Sequence, residues 1–116
     1  MNIKKQENLL AANKLASMKF PQIRASQLAF LQVIGLKPGM TQTELCQELG
    51  VTMSAISRNV DVFGSGRAKS QRHKSYGLIE VKRDIDDERL ALLYLTDKGR
   101  IFLELIEDAT YGNLAD

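Results

Sequence analysis

The sequence predicts a mainly α-helical fold with a small β-hairpin, arranged as a winged helix-turn-helix. Two short amphipathic helices are predicted back to back between residues 41 and 63. Two β-prone runs, residues 76–83 and 89–95, then flank a short polar tip and predict a hairpin. Thr96 can cap a helix, so one more helix is predicted directly after the hairpin.

Composition limits the classes of function. The 116 residues predict one domain, small for an enzyme with a deep pocket. The net charge of +2 excludes a polycation, so a nucleic-acid surface must come from local segregation of charge. The single cysteine excludes an internal disulfide and a multi-cysteine zinc site. With no signal-peptide pattern and no long apolar run, we expect a cytoplasmic protein with no membrane partner.

Two helices are predicted before the central motif, over residues 3–18 and 22–35. Pro21 separates them and is tolerated in the first turn of the second helix. A turn at Lys37-Pro38-Gly39 then leads to the motif. The N-terminal helix has few obvious neighbours in so short a chain, and a second subunit is one way to cover it.

The first helix of the central motif carries signals at both ends. Thr41 is a candidate N-cap, and Glu44 follows at the spacing of a capping box. Leu45 and Leu49 form an apolar stripe, and Gly50 can end the helix with a positive φ. These signals predict a short helix with defined ends.

The second helix of the motif has one apolar and one polar face. Thr52 is its candidate N-cap, and its inward residues are Ile56, Val60 and Phe63. Its other face carries mostly short polar side chains and one arginine: Ser54, Ser57, Arg58 and Asp61. Such residues suit a helix that lies in a groove and hydrogen-bonds to base edges. The alternative is an ordinary αα-hairpin.

A basic segment follows, over residues 64–75. It is rich in glycine and serine, has no acidic residue, and contains the cations Arg67, Lys69, Arg72 and Lys74. We interpret it as a loop or an extension of the preceding helix that contacts DNA phosphates. The alternative is a solvated loop without a partner.

The last helix is predicted over residues 97–109, capped by Thr96. Its apolar residues are Ile101, Phe102, Leu105 and Ile106. The residues from Thr110 onward are expected to fray.

Three motifs in register resemble the multiple-antibiotic-resistance-regulator (MarR) type of winged-helix protein, over residues 22–103. They are the entry to the first wing strand, Gly77-Leu78-Ile79; the wing pattern Asp87-Glu88-Arg89; and the start of the last helix, Leu95-Thr96-Asp97-Lys98-Gly99-Arg100. The resemblance implies a DNA-binding winged helix, with Arg89 at the wing near a minor groove and Asp87 holding its side chain. The alternative for this pair is a surface salt bridge that only stabilises the hairpin.

Two departures from the family pattern matter. The family's connection between recognition helix and wing is usually shorter than residues 64–75, so the recognition helix is longer here or an additional phosphate-binding arm is present. The family usually dimerises through its first helix and two long C-terminal helices, whereas this sequence reads as a C-terminally truncated variant. If the chain forms a homodimer, we expect an interface built from residues 3–18 and 101–109.

These observations divide the chain into an N-terminal helix with a candidate role in dimerisation (1–20), a winged helix-turn-helix DNA-binding domain (21–100), and a C-terminal helix and tail (101–116). We predict sequence-specific binding of double-stranded DNA by a homodimeric transcriptional regulator, a repressor rather than an activator. The predicted DNA contacts are Thr41, Thr43, Thr52, Ser54, Ser57, Arg58, Arg67, Lys69, Arg72, Lys74 and Arg89. The open alternatives are a winged-helix module that docks on polymerase or another regulator, and a replication or partition initiator.

Other chemistry finds little support in the sequence. Cys46 has no cation nearby to activate it and is expected to pack against the core. His73 has no partner at metal-ligand spacing, and the acidic residues at 84–88 lack the pattern of a calcium loop. No serine has a histidine–carboxylate partner. We therefore expect no enzyme activity, no catalytic residues, no metal, no cofactor and no small-molecule effector.

Overall fold

The computed structural model describes residues 1–64 and 76–112. Within them the chain forms five helices and one hairpin: α1 (Ile3–Lys19), α2 (Ala25–Leu36), α3 (Gln42–Leu49), α4 (Met53–Phe63), β1 (Ile79–Arg83), β2 (Ala91–Leu95) and α5 (Asp97–Tyr111). This order confirms the predicted mainly α-helical fold with a small hairpin. Among the described residues, no helix has both the length and the apolar character needed to cross a membrane.

The N-terminal helix α1 packs against α5 of the same chain. Its buried residues, Ala12 and Ala16, are small and let the two helices approach closely. Phe20, at the end of α1, meets Phe102 of α5 edge to face, with ring centroids 4.9 Å apart. The expectation that α1 has few neighbours inside the chain is therefore wrong, because α5 provides one along its length.

The link between α1 and α2 corrects the predicted place of Pro21. This proline lies in a turn that the backbone N–H of Ile23 closes by donating to Phe20 at 2.9 Å. The helix itself begins later, at Ala25, because the Gln27 side chain accepts a hydrogen bond from the backbone N–H of Arg24 at 2.9 Å. Pro21 is therefore outside the first turn of α2.

Helix α2 forms the centre of the core. Its side chains at Phe30, Leu31 and Ile34 are fully buried. The other buried side chains come from every remaining element and make one apolar cluster: Ala12, Ala16, Phe20, Met40, Leu45, Ile56, Phe63, Leu78, Ile79, Leu93, Phe102 and Ile106. Burial of these apolar surfaces fixes the helix-turn-helix and the hairpin on one common support.

Helix α3 begins and ends where the sequence predicts. Thr41 Oγ1 accepts from the backbone N–H of Glu44, and Glu44 Oε1 accepts from the backbone N–H of Thr41, each at 3.2 Å. This reciprocal pair is the predicted capping box. Gly50 ends the helix at φ +65°, a left-handed conformation that glycine adopts without strain.

Helix α4 also confirms its predicted cap and inward face. Thr52 Oγ1 accepts from the backbone N–H of Ala55 at 3.2 Å. Ile56 and Phe63 are buried, and Val60 is half-buried against the same cluster. Because these residues face the core, the residues on the opposite side of α4 face solvent.

Helix α4 ends where the basic segment begins. Gly64 leaves the helical conformation, with φ −64° and ψ 173°, so α4 ends at Phe63. The rest of the basic segment, residues 65–75, on which the predicted alternative of a lengthened helix also depends, lies outside the described residues. The backbone N–H of Tyr76 donates to Val62 at 2.9 Å, and that of Leu78 to Phe63 at 2.8 Å. The end of α4 is therefore hydrogen-bonded to the residues that lead into β1.

The hairpin pairs β1 with β2 antiparallel, with Val81 opposite Leu93. A contact that the sequence does not predict adds a third short segment beside it. Met40 forms an isolated bridge with Leu93, and the N–H of Leu93 donates to the Met40 carbonyl at 2.9 Å. Because Thr41 follows directly and caps α3, this bridge joins the wing to the start of the helix-turn-helix.

Helix α5 carries the four apolar residues predicted for it, two of them buried and two exposed. Phe102 and Ile106 are buried, whereas Ile101 and Leu105 are 52% and 38% exposed. With 3.6 residues per turn, the second pair lies roughly a quarter-turn or more around the helix from the first. The helix also continues through Tyr111, two residues into the part expected to fray.

Candidate nucleic-acid interface

Helix α4 presents four predicted residues together on its solvent side. Ser54, Ser57, Arg58 and Asp61 are all exposed and lie opposite buried Ile56. Within residues 1–64 and 76–112, no ion pair engages Arg58. Its guanidinium therefore has donors for a base edge or a phosphate.

The helix N-termini differ in what they offer to a phosphate. The Thr41 hydroxyl donates to Glu44 Oε1 at 3.0 Å, and this carboxylate already lies at the N-terminus of α3. A phosphate contact by Thr41 would have to displace that pair. Thr43 and Thr52 are exposed, and Thr52 uses its hydroxyl oxygen only as an acceptor for Ala55. Their predicted phosphate contacts need no such displacement.

A residue that the sequence reasoning missed, Gln42, contacts the recognition helix. The hydroxyl of Ser57 donates to Gln42 Oε1 at 3.1 Å, so the first residue of α3 touches the middle of the exposed face of α4. The two residues are 15 apart in sequence. Only the crossing of the two helices brings them together, and no local pattern could have signalled the pair.

The wing carries Arg89 as the resemblance implies. Asp87 accepts from the Arg89 side chain twice, at Nε (3.0 Å) and at Nη2 (3.2 Å), and once from its backbone N–H at 3.1 Å. The side-chain hydrogen bond from Arg89 is the main cause that holds the pKa of Asp87 below its ordinary value. The same bond raises the pKa of Arg89. The Arg89 side chain is 90% exposed, and within the described residues Asp87 engages two of its five side-chain N–H donors.

Solved structures share this architecture. At 28% sequence identity, the chain is similar to FabT of Streptococcus pneumoniae in complex with DNA, with 76% of this chain and 55% of that chain covered and a TM-score of 0.61. At 27% identity, it is similar to a cysteine-to-serine mutant of MarR from E. coli complexed with operator DNA, over 94% of this chain and 67% of that one, with a TM-score of 0.64. RV1404 from Mycobacterium tuberculosis, at 21% identity, shares the fold over 91% and 65% of the two chains, with a TM-score of 0.71.

The chain has a MarR-type winged helix-turn-helix fold. It spans about half to two thirds of the length of these three structures. No sequence model of a known family matches it, and no curated protein matches it either.

On this MarR-type fold, the acidic wing residues have a structural part. Asp84 Oδ1 accepts from the backbone N–H of Asp86 at 3.1 Å, and the backbone N–H of Asp84 donates to Leu90 at 3.0 Å. These bonds shape the turn that presents Arg89. Among the described residues, no cluster of three or more metal-ligating side chains occurs.

A cleft of about 690 Å³ lies between the start of α2 and the MarR-type recognition helix α4. Arg24 and Gln27 line one wall, and Arg58 and Asn59 line the other. Tyr76 closes it where the chain re-enters the described residues. The expectation that no small-molecule effector binds stays a prediction.

The remaining predictions concern Cys46 and the basic segment. Cys46 is half-buried and packs against the core, in keeping with its expected packing role. Four predicted phosphate contacts lie outside the described residues: Arg67, Lys69, Arg72 and Lys74. His73 lies outside them as well.

Proposed function

We propose that the chain is a transcriptional regulator that binds double-stranded DNA sequence-specifically through its winged helix and acts as a repressor. The observation that carries this proposal is the exposed face of α4, where short hydroxyl side chains surround Arg58 on a MarR-type fold. FabT and the MarR mutant, which are 28% and 27% identical to this chain, are both bound to DNA. We also propose that the protein acts in the cytoplasm, the compartment that its single cysteine fits.

The proposed complex has three parts. Helix α4 enters a major groove, where Ser54, Ser57 and Arg58 contact bases and phosphates. Thr43 and Thr52 at the helix N-termini donate to the backbone, with Thr41 joining if its bond to Glu44 opens. The lateral contacts come from Arg89 at a minor groove and from the phosphate-neutralising cations of the basic segment: Arg67, Lys69, Arg72 and Lys74.

The proposed regulator is a homodimer. Helices α1 and α5 pack against each other, but both also carry apolar residues that are exposed, such as Leu10 on α1 and Ile101 on α5. Covering these by a second copy fits the predicted interface from residues 3–18 and 101–109. Two copies would read two half-sites related by a two-fold axis.

The first test measures binding to duplex DNA by fluorescence anisotropy. Affinity for random duplex should fall steeply between about 50 and 200 mM salt, because cations on the protein replace counterions on the phosphates. On a duplex selected from a random pool, Arg58→Ala should weaken binding by about 1–3 kcal/mol if Arg58 reads a base.

The matched control is Arg100→Ala. Arg100 lies on α5, is not among the predicted DNA contacts, and already pairs with Asp97 and Glu104. Its loss removes the same charge and should leave the affinity for the selected duplex nearly unchanged. Absence of binding at low salt, or affinity that does not respond to salt, would show that the DNA-binding proposal is wrong.

A further inference from the structure

The hydrogen bond between Ser57 and Gln42 fixes how a groove-facing hydroxyl can be used. A serine hydroxyl has one hydrogen to donate and two lone pairs that accept. At Ser57 the hydrogen is directed at Gln42 Oε1, 3.1 Å away, while the side chain remains exposed on the outer face of α4. Toward a ligand in front of α4, this hydroxyl can therefore only accept.

The backbone next to the acceptor residue, Gln42, is well anchored. Gln42 is half-buried and is the first residue of α3, directly after the Thr41 capping box. The next turn of α3 is fixed by Leu45, which is fully buried. On its other side, Met40 is tied to the wing through Leu93. The backbone that carries this amide is therefore held by the capping box, by buried Leu45 and by the Met40–Leu93 bridge.

The same bond decides which DNA atoms suit Ser57. Phosphate oxygens only accept hydrogen bonds, so Ser57 would have to give up Gln42 to bind one. In the major groove, the donors are the amino groups of adenine N6 and cytosine N4, whereas guanine and thymine present acceptors. A hydroxyl that can only accept is complementary to the amino groups of adenine and cytosine. It cannot hydrogen-bond to guanine or thymine, because these bases present acceptors.

We propose that Ser57 reads adenine or cytosine at one position of the target through their amino groups, and that Gln42 is the positioning residue that sets this preference. The inference rests on the proposed DNA-binding function and deepens it. It separates Ser57 from the side chains that contact phosphates, and it assigns a part in specificity to a residue of α3.

The test is selection of bound duplexes from random DNA, followed by sequencing, for the wild type and four variants. The wild type should enrich adenine or cytosine over guanine and thymine at one position, by about threefold to tenfold, the size of one neutral hydrogen bond. Ser57→Ala should remove that preference. Gln42→Ala should release the hydroxyl hydrogen, so guanine and thymine should rise at the same position.

Two further variants separate positioning from general stability. Gln42→Glu keeps an acceptor for Ser57 and should keep the preference for adenine or cytosine, although its added negative charge should lower affinity for all duplexes. Gln47→Ala removes an exposed glutamine from the same helix and should leave the whole profile unchanged. Thermal melting of each variant confirms that it is folded before its profile is compared.

The outcomes distinguish this inference from the proposed function. If Ser57→Ala keeps the wild-type profile, Ser57 reads no base; if Gln42→Ala keeps it while Ser57→Ala changes it, Gln42 does not position the hydroxyl. In both cases the wild type still binds and the DNA-binding proposal survives. If the wild type itself enriches no sequence and binds no duplex at low salt, both the inference and the proposed function fail.

Discussion

Gly99 lies where the first turn of α5 crosses the carbonyl oxygen of Leu78 at the entry to the wing. Thr96 joins the same two segments: its hydroxyl donates to the Gly77 carbonyl at 2.6 Å and accepts from the N–H of Gly99 at 3.1 Å. A Cβ on residue 99 would overlap the Leu78 carbonyl. The spacing of threonine and glycine in this motif therefore follows from one close helix–strand contact.

Gly99→Ala should lower the free energy of unfolding by about 1–3 kcal/mol, because backbone atoms must move to make room for the methyl group. The check is denaturant unfolding followed by circular dichroism, with Gly35→Ala as the control. A Cβ at Gly35 meets mainly the tip of the Leu95 side chain, and alanine within a helix regains about 0.5–1 kcal/mol. Equal destabilisation by the two substitutions would contradict the close-contact explanation.

The Asp87–Arg89 pair is a second feature at the scale of residues, in which Asp87 accepts two hydrogen bonds from the Arg89 side chain. An exposed ion pair contributes little to stability, so its value lies in holding the guanidinium in place. Asp87→Asn removes a negative charge from the wing while loosening Arg89. We expect the affinity for random duplex to rise and the preference for A-tract over G·C-rich flanks to fall, because A-tracts have the narrow, more negative minor groove. Competition binding with the two kinds of flank measures both effects.

The pH dependence of that preference has a defined sign. Arg89 holds the pKa of Asp87 below its ordinary value, so the pair is intact above that ordinary value and is lost only as pH falls through the lowered one. The A-tract preference of the wild type should therefore stay constant from about pH 5 to 8. A marked change within this window would show that another group controls the wing.

At the scale of elements, local signals were sufficient where they act within a few residues. The caps at Thr41, Thr52 and Thr96 and the stop at Gly50 could all be predicted, because each rests on bonds to near neighbours. The hairpin could be predicted because two β-prone runs flank a short polar tip. Pro21 was misplaced because its φ suits both a turn and a first helical turn. The choice between them rests on Gln27, which caps the backbone of Arg24.

Contacts distant in sequence could not be predicted in the same way. The packing of α1 on α5, the bridge from Met40 to Leu93, and the bond from Ser57 to Gln42 depend on how whole elements cross. For the candidate site, the exposed face of α4 followed from its buried face, since the helical period links the two. The polarity of the hydrogen bond at Ser57 did not, because it depends on a partner from another helix.

At the scale of the whole molecule, α1 and α5 form one layer beside the winged helix-turn-helix. This layer also carries apolar residues that are exposed to solvent. Ile101 and Leu105 lie one turn apart on α5, away from the buried pair Phe102 and Ile106. On α1, Leu10 is 53% exposed. Apolar residues repeated at helical spacing on a solvent side favour burial against another helix.

The double substitution Ile101→Lys and Leu105→Lys should therefore convert a dimer into a monomer, because it places two charges in the proposed interface. Sedimentation equilibrium should give the wild type twice the 13.0 kDa of the chain, and the variant a single chain mass with its helical circular dichroism signal retained. The control is Ile85→Lys, since Ile85 is 97% exposed at the wing tip and should not affect assembly. A wild type that sediments as a monomer at concentrations where it binds DNA would refute the homodimer, and an unchanged dimer in the variant would place the interface elsewhere. Loss of the dimer should also shorten the selected DNA site to one half-site, which links this surface to the way the molecule reads DNA.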